Sequence, residues 1–178
     1  MQQEWEIFNM NTKVIVIKTP DNGVVILHPA SEMFNSNSRT RATLREQGID
    51  FANDDEVLDW IINKDVPAGA SYRITEITNL PSDRHFRAAW TDAKRTKTVD
   101  VDMPKAREVH LNNLRRMREP KFTQLDRDYL RADERNDLTE KQRIAGLKQQ
   151  LRDIPQTLDL SIAKTPEELK AIVPAILV

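Results

Sequence analysis

Short runs of β-branched residues dominate the first part of the chain. The runs Lys13–Lys18 (KVIVIK) and 24–28 (VVILH) are separated by the segment 19–23 (TPDNG). Proline presets a turn and Asn-Gly supplies positive φ, so this pattern predicts a β-hairpin. Because the runs are apolar at successive positions, we expect both faces of the hairpin to be partly covered.

A region poor in large apolar residues follows at 29–49 and predicts a long loop with a short helix at about 40–47. Asn53 then precedes three acidic residues, which is typical of a helix start. The core-facing side of this helix is predicted to carry Val57, Leu58, Trp60, Ile61 and Ile62.

Three further strands are predicted before residue 102. In the segment 71–77 (SYRITEI), apolar Tyr72 and Ile74 alternate with Arg73 and Thr75, as in a half-buried strand. The segments 85–90 and 98–101 predict a second hairpin with a charged tip.

Beyond residue 102 the apolar spacing becomes helical. Asp102 can cap a first turn that tolerates Pro104, because the missing N–H of proline would be unpaired there. The apolar residues then recur every three or four positions and form one helix face. They are Met103, Ala106, Val109 (or His110), Leu114 and Met117.

Pro120 should kink or stop this helix, and the pattern leaves open whether it bends one helix or separates two. Helical spacing resumes at Phe122, Leu125, Tyr129 and Leu130. A capping box at 139–142 (TEKQ) opens a second helix, which Pro155 is expected to end. The connection between the helices is short, which predicts an antiparallel hairpin.

The two ends of the chain carry apolar clusters. A second capping box at 165–168 (TPEE) predicts a short helix over 167–172, followed by the apolar tail 173–178. The tail either tucks against its own domain or docks on a partner. Residues 1–11, with Trp5, Ile7 and Phe8, are expected to form an edge strand or folded-back tail, or an arm that docks into a neighbouring copy or partner.

The predicted fold class is therefore α+β. We expect a small antiparallel β-sheet unit with one packed helix at 1–102, followed by a C-terminal helical hairpin and short helix at 103–178.

Composition narrows the function classes. The 178 residues are 31% charged with a net charge of −1, which disfavours a protein that coats DNA through general basicity. The sequence has no cysteine, which excludes disulfides, thiolate metal sites and cysteine nucleophiles. No signal peptide or membrane span is apparent. We expect a soluble chain that is made in the cytoplasm.

Candidate chemistry is sparse. The sequence contains no Gly-rich phosphate loop, nucleophile elbow, HExxH or EF-hand spacing. Its three histidines, His28, His85 and His110, are far apart in sequence, and Asp102 is better explained as a helix cap than as half of a carboxylate pair with Asp100. We expect no enzymatic activity, catalytic residue, metal or cofactor.

The densest basic cluster consists of Arg115, Arg116, Arg118 and Lys121. Acidic residues within two turns, at Glu119, Asp126 and Asp128, are expected to pair with it, and no aromatic residues interleave as a stacking platform. Nucleic-acid binding is therefore the least favoured hypothesis.

Several motifs occur in a fixed order along residues 12–172. They are 83–90 (DRHFRAAW), 101–110 (VDMPKAREVH), 118–120 (REP), Leu125-Asp126 with Tyr129 and Ala132, 151–153 (LRD) and 165–171 (TPEELKA). This order resembles a family of small proteins encoded among the tail genes of tailed bacteriophages and prophages. Pro104 and the Asn/Ser/Arg-rich segment 35–45 depart from the family pattern.

The resemblance implies a virion component of the tail, baseplate or fibre-attachment region, located in the phage tail after synthesis in the host cytoplasm. The alternative is a transient tail or tail-fibre assembly chaperone. Expected partners are other phage tail, baseplate or fibre proteins, and we expect a homo-oligomer with no membrane. The family offers no catalytic residue to transfer.

Contacts with these partners are predicted for the helical hairpin and the two ends of the chain. The candidate interface residues are Met103, Val109, Leu114, Met117, Phe122, Leu125, Tyr129, Ile144, Leu147 and Leu151, with Trp5, Phe8, Ile176 and Leu177.

Overall fold

The structure is a computed structural model that describes residues 12–178. Its contacts divide the described chain into two compact units. The first, the sheet unit, contains residues 12–84 and Trp90–Asp100. The second, the helical unit, contains His85–Ala89 and Val101–Val178. The chain is α+β, with small antiparallel sheets and a helical C-terminal part, so the predicted fold class is confirmed.

The sheet unit is built on a three-stranded antiparallel sheet in the order β2-β1-β3. The strands are β1 (Lys13–Lys18), β2 (Val24–Leu27) and β3 (Tyr72–Glu76). The predicted hairpin is confirmed, with Ile17 opposite Val25 and Ile15 opposite Leu27. Its turn depends on Asn22, which has a φ of 62°, a conformation that asparagine tolerates better than most residues.

Two helices belong to the sheet unit, α1 (Arg39–Glu46) and α2 (Asp54–Asp65). The Asn53 side chain accepts a hydrogen bond from the Glu56 N–H and caps α2 as predicted. The apolar core joins one face of β1 to α2 and to a 3-10 turn at Ser31–Phe34. Its buried members are Ile15, Ile17, Met33, Val57, Ile61 and Ile62.

The predicted second hairpin is much shorter than expected. Residues 87–89 form a 3-10 turn, and the strands are only β4 (Trp90–Thr91) and β5 (Asp100–Val101). The prediction of a strand at 85–90 is wrong because Phe86 and Ala89 are anchored elsewhere. Both are buried in a cluster with Ala106 of the helical unit, which leaves no extended segment to pair.

The helical unit contains α3 (Met103–Glu134), α4 (Leu138–Thr157) and α5 (Pro166–Ala171). Asp102 caps α3 by accepting a hydrogen bond from the Lys105 N–H, as predicted. Pro120 does not stop α3, because it lies inside a single helix of 32 residues. Leu114 before the proline and Phe122 after it join one apolar cluster, so packing on both sides compensates the lost hydrogen bond.

Both predicted ends of α4 are wrong by about two residues. The cap is Asp137, which accepts from the Glu140 N–H, and Thr139 lies inside the helix. Pro155 also lies inside α4. Because proline lacks an N–H, the Leu151 carbonyl loses its usual donor, and the Arg118 Nη1 donates to that oxygen at 2.7 Å instead.

The end of the chain folds back on the helical unit. Thr165 and Glu168 form the predicted capping box at the start of α5. The tail that follows packs through Leu177 against Leu114 and Leu151. Of the two alternatives for the tail, the structure therefore shows packing against its own domain. The predictions made for residues 1–11 lie outside the described residues.

Candidate protein–protein interface

The α3–α4 pair is an antiparallel hairpin that carries two ion pairs between its helices. Lys141 of α4 forms an ion pair with Asp133 of α3, and Lys148, further along α4, forms one with Asp126, which lies earlier in α3. This order of partners is that of antiparallel helices. Both lysine ammonium groups also lie over the Tyr129 ring, 5.5 and 5.6 Å from its centroid. The two ion pairs and the ring therefore fix the register of the hairpin near its turn.

Hydrogen bonds between charged side chains shift the pKa of two groups on α4. The hydrogen bond to Asp133 raises the pKa of Lys141. On the outer surface of α4, the bidentate hydrogen bond from Arg143 lowers the pKa of Glu140. In each of these two pairs one partner has a side chain that is more than half exposed to solvent, so each pair contributes little to stability.

The predicted interface residues lie mostly inside the helical unit. Four are buried, namely Leu114, Ile144, Leu151 and Leu177. Seven are half-buried, namely Met103, Val109, Phe122, Leu125, Tyr129, Leu147 and Ile176. Met117 alone among those described is exposed, and Trp5 and Phe8 lie outside the described residues. The helical stripes thus form a core, and no partner reaches their buried members while α3 and α4 remain paired.

A second cluster stabilises the N-terminal half of α3. It gathers residues from four segments of the chain, and its buried members are Phe86, Ala89, Ala106, Leu160, Ala163 and Leu169. Arg107 supports this cluster from α3 by donating to the carbonyls of Leu160 and Ala163, both at 3.1 Å. One arginine thereby supplies hydrogen-bond donors to two carbonyl oxygens of the loop between α4 and α5, which have no donor within a helix.

Two histidines converge beside this cluster although they are 25 positions apart in sequence. His110 is buried, and its Nε2 lies 2.8 Å from the Ile172 carbonyl oxygen. The His85 ring lies 6.2 Å from the His110 ring and contacts Asn113 at 3.4 Å. Because a carbonyl only accepts, the short contact makes His110 Nε2 the protonated nitrogen. Among residues 12–178, no three His, Asp or Glu side chains converge on a possible metal position.

The basic cluster on α3 is not neutralised in the way the sequence suggested. Arg115 and Arg116 donate to the side chains of Asn112 and Asn113, three positions earlier. Arg118 and Lys121 donate to main-chain carbonyls. The expected pairing fails because the acidic groups have other partners, Asp126 with Lys148 and Asp128 with Arg131.

Exposed apolar side chains occur where the sequence analysis did not place an interface. Those of the sheet unit are Val25, Tyr72, Ile74 and Ile77, and those of the helical unit include Leu130, Leu138 and Ile162. The alternation in β3 signalled a two-faced strand, but its apolar side chains are the more exposed set. Arg73 points to the opposite face and forms a bidentate ion pair with the buried Asp92.

Comparison with known proteins identifies no relative of the chain. No family model, curated protein or solved structure matches the chain. In the described part of the chain, no helix combines the length and apolar character that crossing a membrane requires.

Proposed function

We propose that the chain is a structural component of a tailed-phage virion, located in the tail, baseplate or fibre-attachment region. It acts there through protein–protein contacts in a symmetric assembly. The proposal starts from the resemblance of the ordered sequence motifs to tail-associated proteins, and it is supported by where those motifs lie in the structure.

The observation that carries the proposal is the convergence of these motifs in the helical unit. Phe86 of the first motif, Ala106 of the second and Leu169 of the last are buried in one cluster. A chance likeness between separate segments would not require the segments to meet. Shared residues of one core are what a common fold would conserve.

Two polar contacts join further motifs within the same unit. Arg118 of the REP motif donates to the carbonyl of Leu151, the first residue of the LRD motif. His110, which ends the second motif, contacts the carbonyl of Ile172, directly after the TPEELKA segment. Each contact gives a main-chain carbonyl oxygen a side-chain partner, and the His110 side chain that makes one of them is buried, so both contribute to the stability of one unit.

The self-contained core also fits a structural role. The apolar stripes of α3 and α4 are covered by each other and by the C-terminal tail, so the helical unit can be folded before it meets a partner. A particle component of this kind presents a preformed surface, and binding then costs little conformational entropy.

Quantitative peptide mass spectrometry of density-purified particles tests the proposal. The sample is the phage, or the induced prophage, that encodes the chain, and the major capsid protein supplies the copy-number standard. We expect the chain in intact particles at a fixed copy number that matches a tail symmetry. Its absence from particles while it is abundant in the lysate of infected cells would contradict the proposal and favour the transient assembly chaperone.

A further inference from the structure

The strand β3 lies at the edge of the three-stranded sheet and has one open side. The Lys18 N–H donates to the Ser71 carbonyl at 2.8 Å, and the Ile77 N–H donates to the Thr12 carbonyl at 2.7 Å. Hydrogen-bonding direction alternates along an antiparallel strand. The main-chain groups of Tyr72, Ile74 and Glu76 therefore point away from β1. Within residues 12–178, the only strand paired with β3 is β1.

Three of the features that usually prevent edge-to-edge pairing are absent from this edge. Such edges normally carry a proline, a lysine or a bulge, whereas β3 reads YRITE and its register with β1 is unbroken from Glu76 to Tyr72. The side chains of Tyr72 and Ile74 share one face and are 43% and 42% exposed. The strand is regular, Arg73 is turned onto Asp92, and of the three residues on the outer face two, Tyr72 and Ile74, are exposed apolar side chains.

The opposite edge of the sheet is different. A β-bridge joins Gly23, directly before β2, to Thr91, and the Thr91 hydroxyl donates to the Asn22 carbonyl at 2.7 Å. The start of β2 is thus occupied by the chain itself, and β3 is the edge that offers a full strand to a partner.

We propose that the partner of β3 is a second copy of this chain, bound antiparallel across a two-fold axis at Ile74. The sequence of β3 is self-complementary in this register. Glu76 would lie opposite Tyr72 of the second copy, and Arg73 would lie opposite Thr75, so no like charges face each other. Centring the axis on Arg73 or Glu76 instead would place two identical charges in contact.

The proposed pairing has a defined geometry. Tyr72, Ile74 and Glu76 would each form a hydrogen-bonded pair with the second copy, which continues the sheet from three strands to six. The apolar side chains of Tyr72 and Ile74 from both copies would then adjoin on one face. This inference goes beyond the proposed function, because the purified chain should dimerise without any other virion protein.

Sedimentation equilibrium of the full chain between about 1 and 100 µM tests the proposal, because this range detects a dimer with a dissociation constant in the micromolar range. We expect a reversible dimer for the wild type and a dissociation constant at least about tenfold higher for Ile74→Lys, because lysine on an edge strand disfavours pairing with another strand. Val25→Lys is the matched control, since Val25 is also an exposed apolar residue of the same sheet but belongs to β2. This control should dimerise like the wild type, and circular dichroism should show both variants folded.

Single-cysteine crosslinking tests the register in a chain that has no cysteine of its own. A hydrogen-bonded antiparallel pair has its Cα atoms about 5.5 Å apart, which suits a disulfide. Ile74→Cys should therefore form a covalent dimer on mild oxidation, whereas Tyr72→Cys should not, because its proposed neighbour is Glu76.

Three results would overturn the proposal. The first is a monomeric wild type at 100 µM, and the second is equal crosslinking at positions 72 and 74. The third is crosslinking at position 74 that appears only after removal of residues 1–11, which would make the chain's own N-terminal segment the occupant of this edge. Because these experiments use the purified chain, their failure leaves the particle composition as a separate test of the proposed function.

Discussion

The two units of this protein treat their apolar surface differently. In the helical unit, the stripes of α3 and α4 cover each other except at Met117 and Leu130, which are exposed, and the tail closes the cluster with Leu177. In the sheet unit, β3 keeps Tyr72 and Ile74 exposed and its outer main-chain groups without a strand partner among residues 12–178. Apolar periodicity therefore identifies a surface that must be covered, while only the fold shows whether the chain itself covers it.

The largest expected effect concerns the interior of the hairpin. Leu151 is fully buried, so Leu151→Asp should destabilise the helical unit by more than about 4 kcal/mol, because an unpaired carboxylate would replace a core side chain. Leu138→Asp is the control, since Leu138 is 68% exposed in the first turn of α4, and it should change stability by less than about 0.5 kcal/mol. Urea unfolding followed by circular dichroism measures both. Similar losses for both variants would contradict the view that the stripe is a core.

The next effect concerns the inner face of β3. Asp92 is buried and bound by Arg73 through the Arg73 Nε and Nη2. Arg73→Ala should cost about 3–5 kcal/mol because it leaves a buried carboxylate unpaired. The exposed pair Lys94–Asp100 provides the control, and Lys94→Ala should cost less than about 1 kcal/mol. Equal losses in chemical denaturation would show that the ion pair of Arg73 is not important to the sheet unit.

A smaller effect should link the two helices of the hairpin. Arg118→Met should lose about 1–3 kcal/mol, because the Leu151 carbonyl then has neither its helical donor nor the guanidinium. In a Pro155→Ala background, a main-chain N–H returns at position 155, and the same substitution should cost less. A double-mutant cycle of unfolding free energies measures this coupling, and zero coupling would separate Arg118 from the proline.

The smallest effect is a pH dependence in the sheet unit. The Phe51 N–H, followed by Arg45, lowers the pKa of Asp50. Since the folded pKa lies below the unfolded one, Asp50 stabilises the fold above its ordinary pKa of about 4 and ceases to do so as pH falls through the lowered value. Asp50→Ala should lower the melting temperature at pH 7, and this difference should shrink as the pH is lowered below about 4. A constant difference across this range would contradict the assignment.

Much of the fold was predictable because local chemistry determined it. The Asn-Gly turn, the cap at Asn53, the cap at Asp102 and the capping box at Thr165 all form as the sequence indicates. Each of these signals acts within about four residues, so distant parts of the chain do not override it.

The errors arose where a distant contact decided the outcome. Pro120 reads as a helix end, yet Leu114 and Phe122 on either side of it enter one cluster with α4. The segment 85–90 reads as a strand, yet Phe86 is held in the cluster of the helical unit. Local propensity could not indicate either contact, because both depend on residues more than 15 positions away.

The candidate interface was the least predictable feature. Spacing alone could not distinguish a stripe that docks on a partner from one that docks on the next helix, and Leu151 proved to be interior. In β3 the alternation was visible, but it did not show that Arg73 binds the buried Asp92 while Tyr72 and Ile74 stay exposed. An interior ion pair of this kind depends on a residue 19 positions away and leaves no periodic signal.

The most direct test joins the sheet edge to the proposed function. Particles are purified from a phage that carries Ile74→Cys and are compared on reducing and non-reducing gels, with peptide mass spectrometry of the bands. We expect that the chain is present in the particles at a fixed copy number and that it runs as a disulfide-linked dimer without reductant. Presence only as a monomer would contradict the β3 contact, and absence from particles would contradict a structural role in the virion.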